Sequence, residues 1–253
     1  MQKRLPFILF VLFATVVTLL FYYPIVLHPN DFMFNNEGDG IKNYFTYSYH
    51  IKHDVSYINF EGMNYPYGEH FLYTDCHPII ANSIKLISNV FPSITEYHIG
   101  ILNFLMIASI FLTFIICYFV LLEFNINQWL SIGFSIGISL LAPQLFRLVG
   151  HLALSYSVAI PPSWLLLIRS FKTQGSIKYT IYLFFNNVFW LFIHSYLGII
   201  ILFFLSMMVF ILIIKEHQKK HYWKYYVGLV SSIAIPIIFF YAFAILTDTH
   251  TNR

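Results

Sequence analysis

From Leu5 to Leu27 the chain runs for twenty-three residues without a charge, and six more apolar runs follow at 98–122, 129–146, 152–168, 179–193, 196–214 and 225–246. A helix of twenty-three residues is roughly 34 Å long, enough to cross a hydrocarbon core of about 30 Å. Seven such runs constrain the fold more than any other feature, because lipid leaves only helices or closed barrels to satisfy the backbone. The expected fold is an all-α polytopic membrane protein, with about seven transmembrane helices in a single membrane domain spanning 1–253. Composition agrees: 58% of the 253 residues are hydrophobic and 10% are charged. No soluble or disordered chain of this size carries that balance. The few basic residues lie in short loops, so no nucleic-acid partner is expected; membrane lipid is.

The first run has Lys3 and Arg4 before it and leaves through Tyr22-Tyr23-Pro24 without a small-residue cleavage site, so it reads as a retained span rather than a signal peptide. Placing its N-terminus in the cytoplasm fixes the other segments by alternation. Nine of the fourteen basic residues then fall in short inner segments, as the positive-inside rule requires. Of the eleven acidic residues, nine fall outside: Asp31, Glu37, Asp39, Asp54, Glu61, Glu69, Asp75, Glu96 and Asp248. That asymmetry directs the search for chemistry to the outer face. Cys76 and Cys117 fall at different depths, and no disulfide is expected between them.

Residues 28–97 form the one sizeable extracytoplasmic loop. Helical spacing over 40–55 and again over 79–90 predicts two helices lying along the membrane surface, with Asp39 as the N-cap of the first. Two further breaks face the same side, at Arg147-Leu148-Val149-Gly150-His151 and at His194-Ser195-Tyr196. Broken helices of this kind usually line a protein interior or a cavity.

The candidate chemistry follows from these positions. Glu37-Gly38-Asp39 supplies two carboxylates that can divide roles, one as base or metal ligand and the other orienting it; a cap and a turn is the plainer reading. Arg147, His151 and His194 sit at outer span ends, where an arginine can also snorkel to lipid and a histidine can be a satisfied interfacial residue. Asp75 and His77, in Thr74-Asp75-Cys76-His77-Pro78, rank second because adjacent side chains diverge. His50, His53 and Asp54 have metal-compatible helical spacing, although histidine also suits an interface.

An apolar first span, a large outer loop opening on an acidic motif and then paired short spans together resemble the class-C (GT-C) glycosyltransferase superfamily. Glu37-Gly38-Asp39 fits its E-x-D form, and the segment from Glu37 through Tyr49 is similar to the opening of YfhO-like bacterial membrane proteins. The resemblance implies transfer of a sugar from a polyprenyl-phosphate donor at the outer face of a bacterial inner membrane. It makes Asp39 the base, with Glu37 orienting it or holding a divalent cation such as Mg or Mn. Arg147, His151 and His194 would then face the phosphate, with Asp75 and His77 as further substrate contacts. Members usually continue with more spans, so the chain is read as a fragment or a minimal module. Two other functions stay open: a transporter or flippase of a lipid-linked saccharide, and a non-catalytic membrane scaffold subunit.

Overall fold

The computed structural model describes residues 5–173, 176–216 and 223–249. Six helical segments among them are long and apolar enough to cross a membrane: Leu5–Leu27, His98–Glu123, Gln128–Val149, Leu152–Lys172, Ser195–Lys215 and Tyr225–Thr247. A shorter apolar helix, Ile177–Ile193, makes the seventh. The protein is an all-α multi-pass membrane protein. Its lipid-facing side chains are the long apolar ones left exposed along each helix, such as Leu12, Leu20, Phe203, Phe210 and Ile238.

Helix α1 (Leu5–Leu27) is kinked at Tyr22, two residues before Pro24, whose ring and missing N–H break the ladder there. Next come α2 (Gly38–Lys52), a two-residue antiparallel ladder of β1 (Asn59–Phe60) with β2 (Glu69–His70), and α3 (Pro78–Ser88). The spans then follow as α4 (His98–Glu123), α5 (Gln128–Leu140), the short α6 (Pro143–Phe146), α7 (Ile160–Lys172), α8 (Ile177–Ile193), α9 (Ser195–Glu216) and α10 (Trp223–Thr247). Helix α4 packs on α1, α5 and α7, and α8 packs on α7, α9 and α10.

Two spans differ from their sequence-based bounds, and proline explains both. The run 129–146 is not one helix. It stops at Leu140, because Pro143 lacks an N–H and drives Ala142 to an extended conformation (φ −63°, ψ 129°). The run from 152 turns helical only at Ile160, with Pro161 and Pro162 in the first turn, where their missing N–H groups cost nothing. Between these helices the chain passes through tight 3-10 turns at Arg147–Val149, Leu152–Leu154 and Ser157–Ala159.

The connections alternate between two faces. On one lie the loop 28–97 and three chain segments bonded to it. Asn35 Nδ2 donates to the Val149 carbonyl, His194 Nε2 donates to Asp75 Oδ1 over 3.0 Å, and His70 Nε2 lies 2.9 Å from Thr247 Oγ1. On the opposite face Glu123 joins α4 to α7 through Arg169 and Lys172. Helix α2 turns its tyrosines into protein: Tyr44 and Tyr47 are buried, donating to Asn103 Oδ1 (2.5 Å) and to the His98 carbonyl (3.1 Å). Both cysteines are free, and burial pushes the Cys76 thiol up to about 12, which keeps it protonated and unreactive.

Candidate functional site

The site is built on the first turns of α2. Its N-terminus depends on two glycines: Gly38 takes φ +51°, a left-handed conformation that L side chains rarely adopt. At Gly40 a Cβ would come within 2.7 Å of the Asn35 side chain, so the residue lets Asn35 lie against the helix while it holds Val149. Between them Asp39 is carried out into solvent. The expected N-cap role does not hold for Asp39: Glu37 occupies that position, with no side-chain cap bond, and Asp39 stands in the first turn. A carboxylate there still gains from the helix dipole without spending an oxygen on the backbone.

Across from Asp39 stands His151, with Nε2 3.5 Å from Asp39 Oδ2 and both side chains about half exposed (44% and 56%). The buried Asn43 fixes their segments to each other. Its Nδ2 donates to the Asp39 carbonyl (2.7 Å), and its Oδ1 accepts from the Ala153 N–H (2.9 Å). Arg147 is exposed in the same segment; its carbonyl accepts from the Gly150 and His151 N–H groups, and its guanidinium makes no hydrogen bond or ion pair among the described residues. Glu37 is exposed as well, its backbone N–H held by Asn35 Oδ1 at 3.0 Å.

One turn along α2, Lys42 Nζ lies 3.0 Å from Asp75 Oδ2, while Asp75 Oδ1 accepts from His194 Nε2. A carboxylate only accepts, so the His194 proton sits on Nε2 and its Nδ1 is buried without a partner. Burial of Asp75 works against its ionisation, but the bonds and charges of His194 and Lys42 outweigh it and hold the carboxyl at about 2. His77 lies beneath. It is fully buried, with Nδ1 3.0 Å from the Tyr156 hydroxyl and Nε2 unpartnered. Burial, reinforced by the His194 charge and opposed by Asp75, lowers His77 to about 3, so the ring is neutral. Asp75 (φ +60°) and His77 (φ +52°) both sit in left-handed backbone, a strain that persists only where the surroundings over-determine it.

Six of the seven sequence-derived candidates thus gather around α2 or the segments bonded to it: Asp39 with His151, Asp75 with His194 and His77, and Glu37 at the helix start. Arg147 is exposed four residues before His151. Sequence reading missed Lys42, Asn43 and Tyr156. Lys42 was legible, since it follows Asp39 by three residues on a helix and so shares its face. The His50, His53 and Asp54 set resolves otherwise. His50 spends both ring nitrogens, on Asp54 Oδ2 (2.6 Å) and Asn82 Oδ1 (2.8 Å), and His53 is exposed. Among the described residues no group of three or more His, Cys, Asp or Glu could hold a metal ion. The donor set around Glu37 and Asp39 does not fit a resident divalent cation.

Away from these polar groups, an apolar groove of about 280 Å³ opens between α1 and α4, lined by Leu19, Ile25, Val26, Phe104, Ile107 and Phe111 among others. It reaches the loop face at Pro29, whose carbonyl accepts from Asn103, the partner of Tyr44 on α2.

Fold and geometry define a multi-pass membrane protein whose polar loop folds back over its own helix ends. The chain belongs to the DUF6311 family, described as a domain of unknown function, whose model matches residues 11–253. No curated protein and no solved structure matches it.

Proposed function

We propose that the protein is a membrane glycosyltransferase that moves a sugar from a polyprenyl-phosphate donor to an acceptor on the extracytoplasmic face of a bacterial inner membrane, its N-terminus lying in the cytoplasm. The observation that carries this reading is Asp39, an exposed carboxylate on the first turn of a helix folded over the span ends, with an imidazole 3.5 Å away. As the acceptor oxygen attacks the anomeric carbon, Asp39 takes the hydroxyl proton. The bond from that carbon to the phosphate oxygen breaks, and polyprenyl phosphate leaves with the electron pair. A single displacement of this kind inverts the anomeric centre. His151 orients the carboxylate, and Arg147 meets the departing phosphate, which its planar fork can pair bidentately. The groove between α1 and α4 suits the polyprenyl tail.

A transporter or flippase would need its ionisable residues near the middle of the bilayer. Here the paired ones lie at the ends of spans, at the face that carries residues 28–97 or opposite it. A scaffold subunit would tolerate loss of charge at Asp39.

The test is transfer from a panel of undecaprenyl-phosphate hexoses by the full chain in nanodiscs, comparing the parent with Asp39→Asn. Asparagine keeps the shape but loses the dipole and His151 attractions of an exposed first-turn carboxylate, so folding should change by about 1 kcal/mol or less. Loss of a general base lowers the rate by about a hundredfold to ten-thousandfold. Parental rates in a normally folded Asp39→Asn protein would remove Asp39 as the base.

A further inference from the structure

We propose that Lys42, absent from the sequence-derived candidates, is the cation that binds the phosphate of a lipid headgroup, and that Asp75 is the resting counter-ion from which it is released. The identity of the lipid rests on the glycosyltransferase reading; the role of Lys42 rests on geometry. Lys42 follows Asp39 by three residues on α2, so the two side chains leave the same face of the helix. Its side chain, a flexible four-carbon stem ending in the ammonium, is 37% exposed, and Asp75 is its only ion-pair partner among the described residues.

Asp75, by contrast, is held in place. Its backbone sits in left-handed conformation, Thr74 and Cys76 on either side both donate to the Phe71 carbonyl, and His77, two residues on, holds the N-cap position of α3. Asp75 also keeps a second partner: Oδ1 stays bonded to His194 Nε2 when Oδ2 loses Lys42. Lys42 can therefore exchange partners without leaving a bare carboxylate behind. A part-exposed pair of this kind is worth little, so a phosphate with more acceptor oxygens and more charge competes for the ammonium on favourable terms.

His194 acts through Asp75. Its Nε2 fixes one carboxylate oxygen, while its Nδ1 is buried without a partner. It is a positioning residue for Lys42. On the segment facing the start of α2, His151 adds an imidazole beside Asp39, and Arg147 lies four residues before it.

A structural staple and a phosphate site give opposite signs for one variant. In a staple, Lys42→Met and Asp75→Asn both break the Lys42–Asp75 bond, and both lower melting and binding together. In a phosphate site, Lys42→Met removes the binding cation, whereas Asp75→Asn removes its competitor. The experiment uses the full chain in nanodiscs and measures binding of undecaprenyl phosphate, the neutral alcohol undecaprenol and inorganic phosphate, with thermal melting of every variant. The expected result is that Lys42→Met weakens undecaprenyl-phosphate binding by about tenfold or more and leaves undecaprenol binding unchanged. Lys42→Arg should keep most of the affinity, and Asp75→Asn should bind as tightly as the parent or more tightly. Lys52→Met, which removes the same charge from the exposed end of α2, should have no effect. Inorganic phosphate binding that depends on Lys42 as strongly as the lipid does would keep the site and move its ligand to free phosphate. Parental binding by Lys42→Met, or equal losses of binding and melting temperature in Lys42→Met and Asp75→Asn, would overturn the proposal. If binding follows the expected signs but no sugar is transferred, the glycosyltransferase reading fails and the phosphate site stands.

Discussion

Two ion-pair clusters, one on each face of the helical bundle, use similar residues for different ends. On the face opposite the loop, Glu123 closes on Arg169 Nε (2.8 Å) and Lys172 Nζ (3.0 Å) at the ends of α4 and α7. All three charged groups there have partners, and the helix ends follow ordinary rules: two cations in the last turn of α7 meet the negative end of its dipole. On the loop face, Lys42, Asp75, His194, Asp39 and His151 come from four separate segments. With the neighbouring His77 they hold two left-handed residues, leave two buried imidazole nitrogens unpartnered, and present one carboxylate to solvent. The first cluster is complete without a ligand. The second carries strain and unspent bonding capacity, which is where function is expected to collect.

The largest energetic contrast between the two clusters should come from acid. Unfolded, His77 binds a proton near its ordinary 6.5, but folded it stays neutral down to about 3. The unfolded state therefore binds more protons below pH 6.5, and stability falls by up to about 1.4 kcal/mol per pH unit until about pH 3. Asp75 adds a further loss between its ordinary 3.8 and about 2, because its depressed value stabilises the fold only while it is ionised. Thermal melting across this range should slope downward in the parent and in Glu123→Gln, and be flatter in His77→Gln. An equal slope in His77→Gln would place the acid sensitivity elsewhere.

Gly40→Ala should come next. Its Cβ would press on Asn35 at 2.7 Å and release Val149, at a cost of about 1–3 kcal/mol in melting and with weakened sugar transfer. Unchanged melting would mean that the segment at 34–36 yields freely. The smallest effect should be that of Glu123→Gln, about 1 kcal/mol or less, since its cations are 36% and 45% exposed.

Hydropathy made the seven helices legible, together with the alternation that puts residues 28–97, 147–151 and 194 on one face. Where a span breaks was not legible from hydropathy alone. Pro143 and Pro161-Pro162 decide it through missing N–H groups, inside runs whose apolarity continues unbroken. At the site, residue type and span-end position picked out Asp39, His151 and His194, because ionisable groups at such places are costly. Their pairing was not legible. The His194–Asp75 bond joins residues 119 apart in sequence, and Asp75 reaches its partners only through a left-handed backbone that no local pattern announces. The tyrosines of α2 gave helical spacing but not a destination: Tyr44 and Tyr47 bury against α4 through hydroxyl bonds to Asn103 and His98.

The most direct test of the difference between the clusters is one assay on two isosteric charge removals, Asp39→Asn and Glu123→Gln, measuring sugar transfer from undecaprenyl-phosphate donors and melting temperature side by side. The expected outcome is a split in rate. Asp39→Asn should lose about a hundredfold to ten-thousandfold in rate with only a small change in melting, while Glu123→Gln keeps the parental rate at a similarly small cost in melting. If both variants lose rate only in proportion to their loss of melting temperature, the two clusters are alike, and the loop face is a second staple.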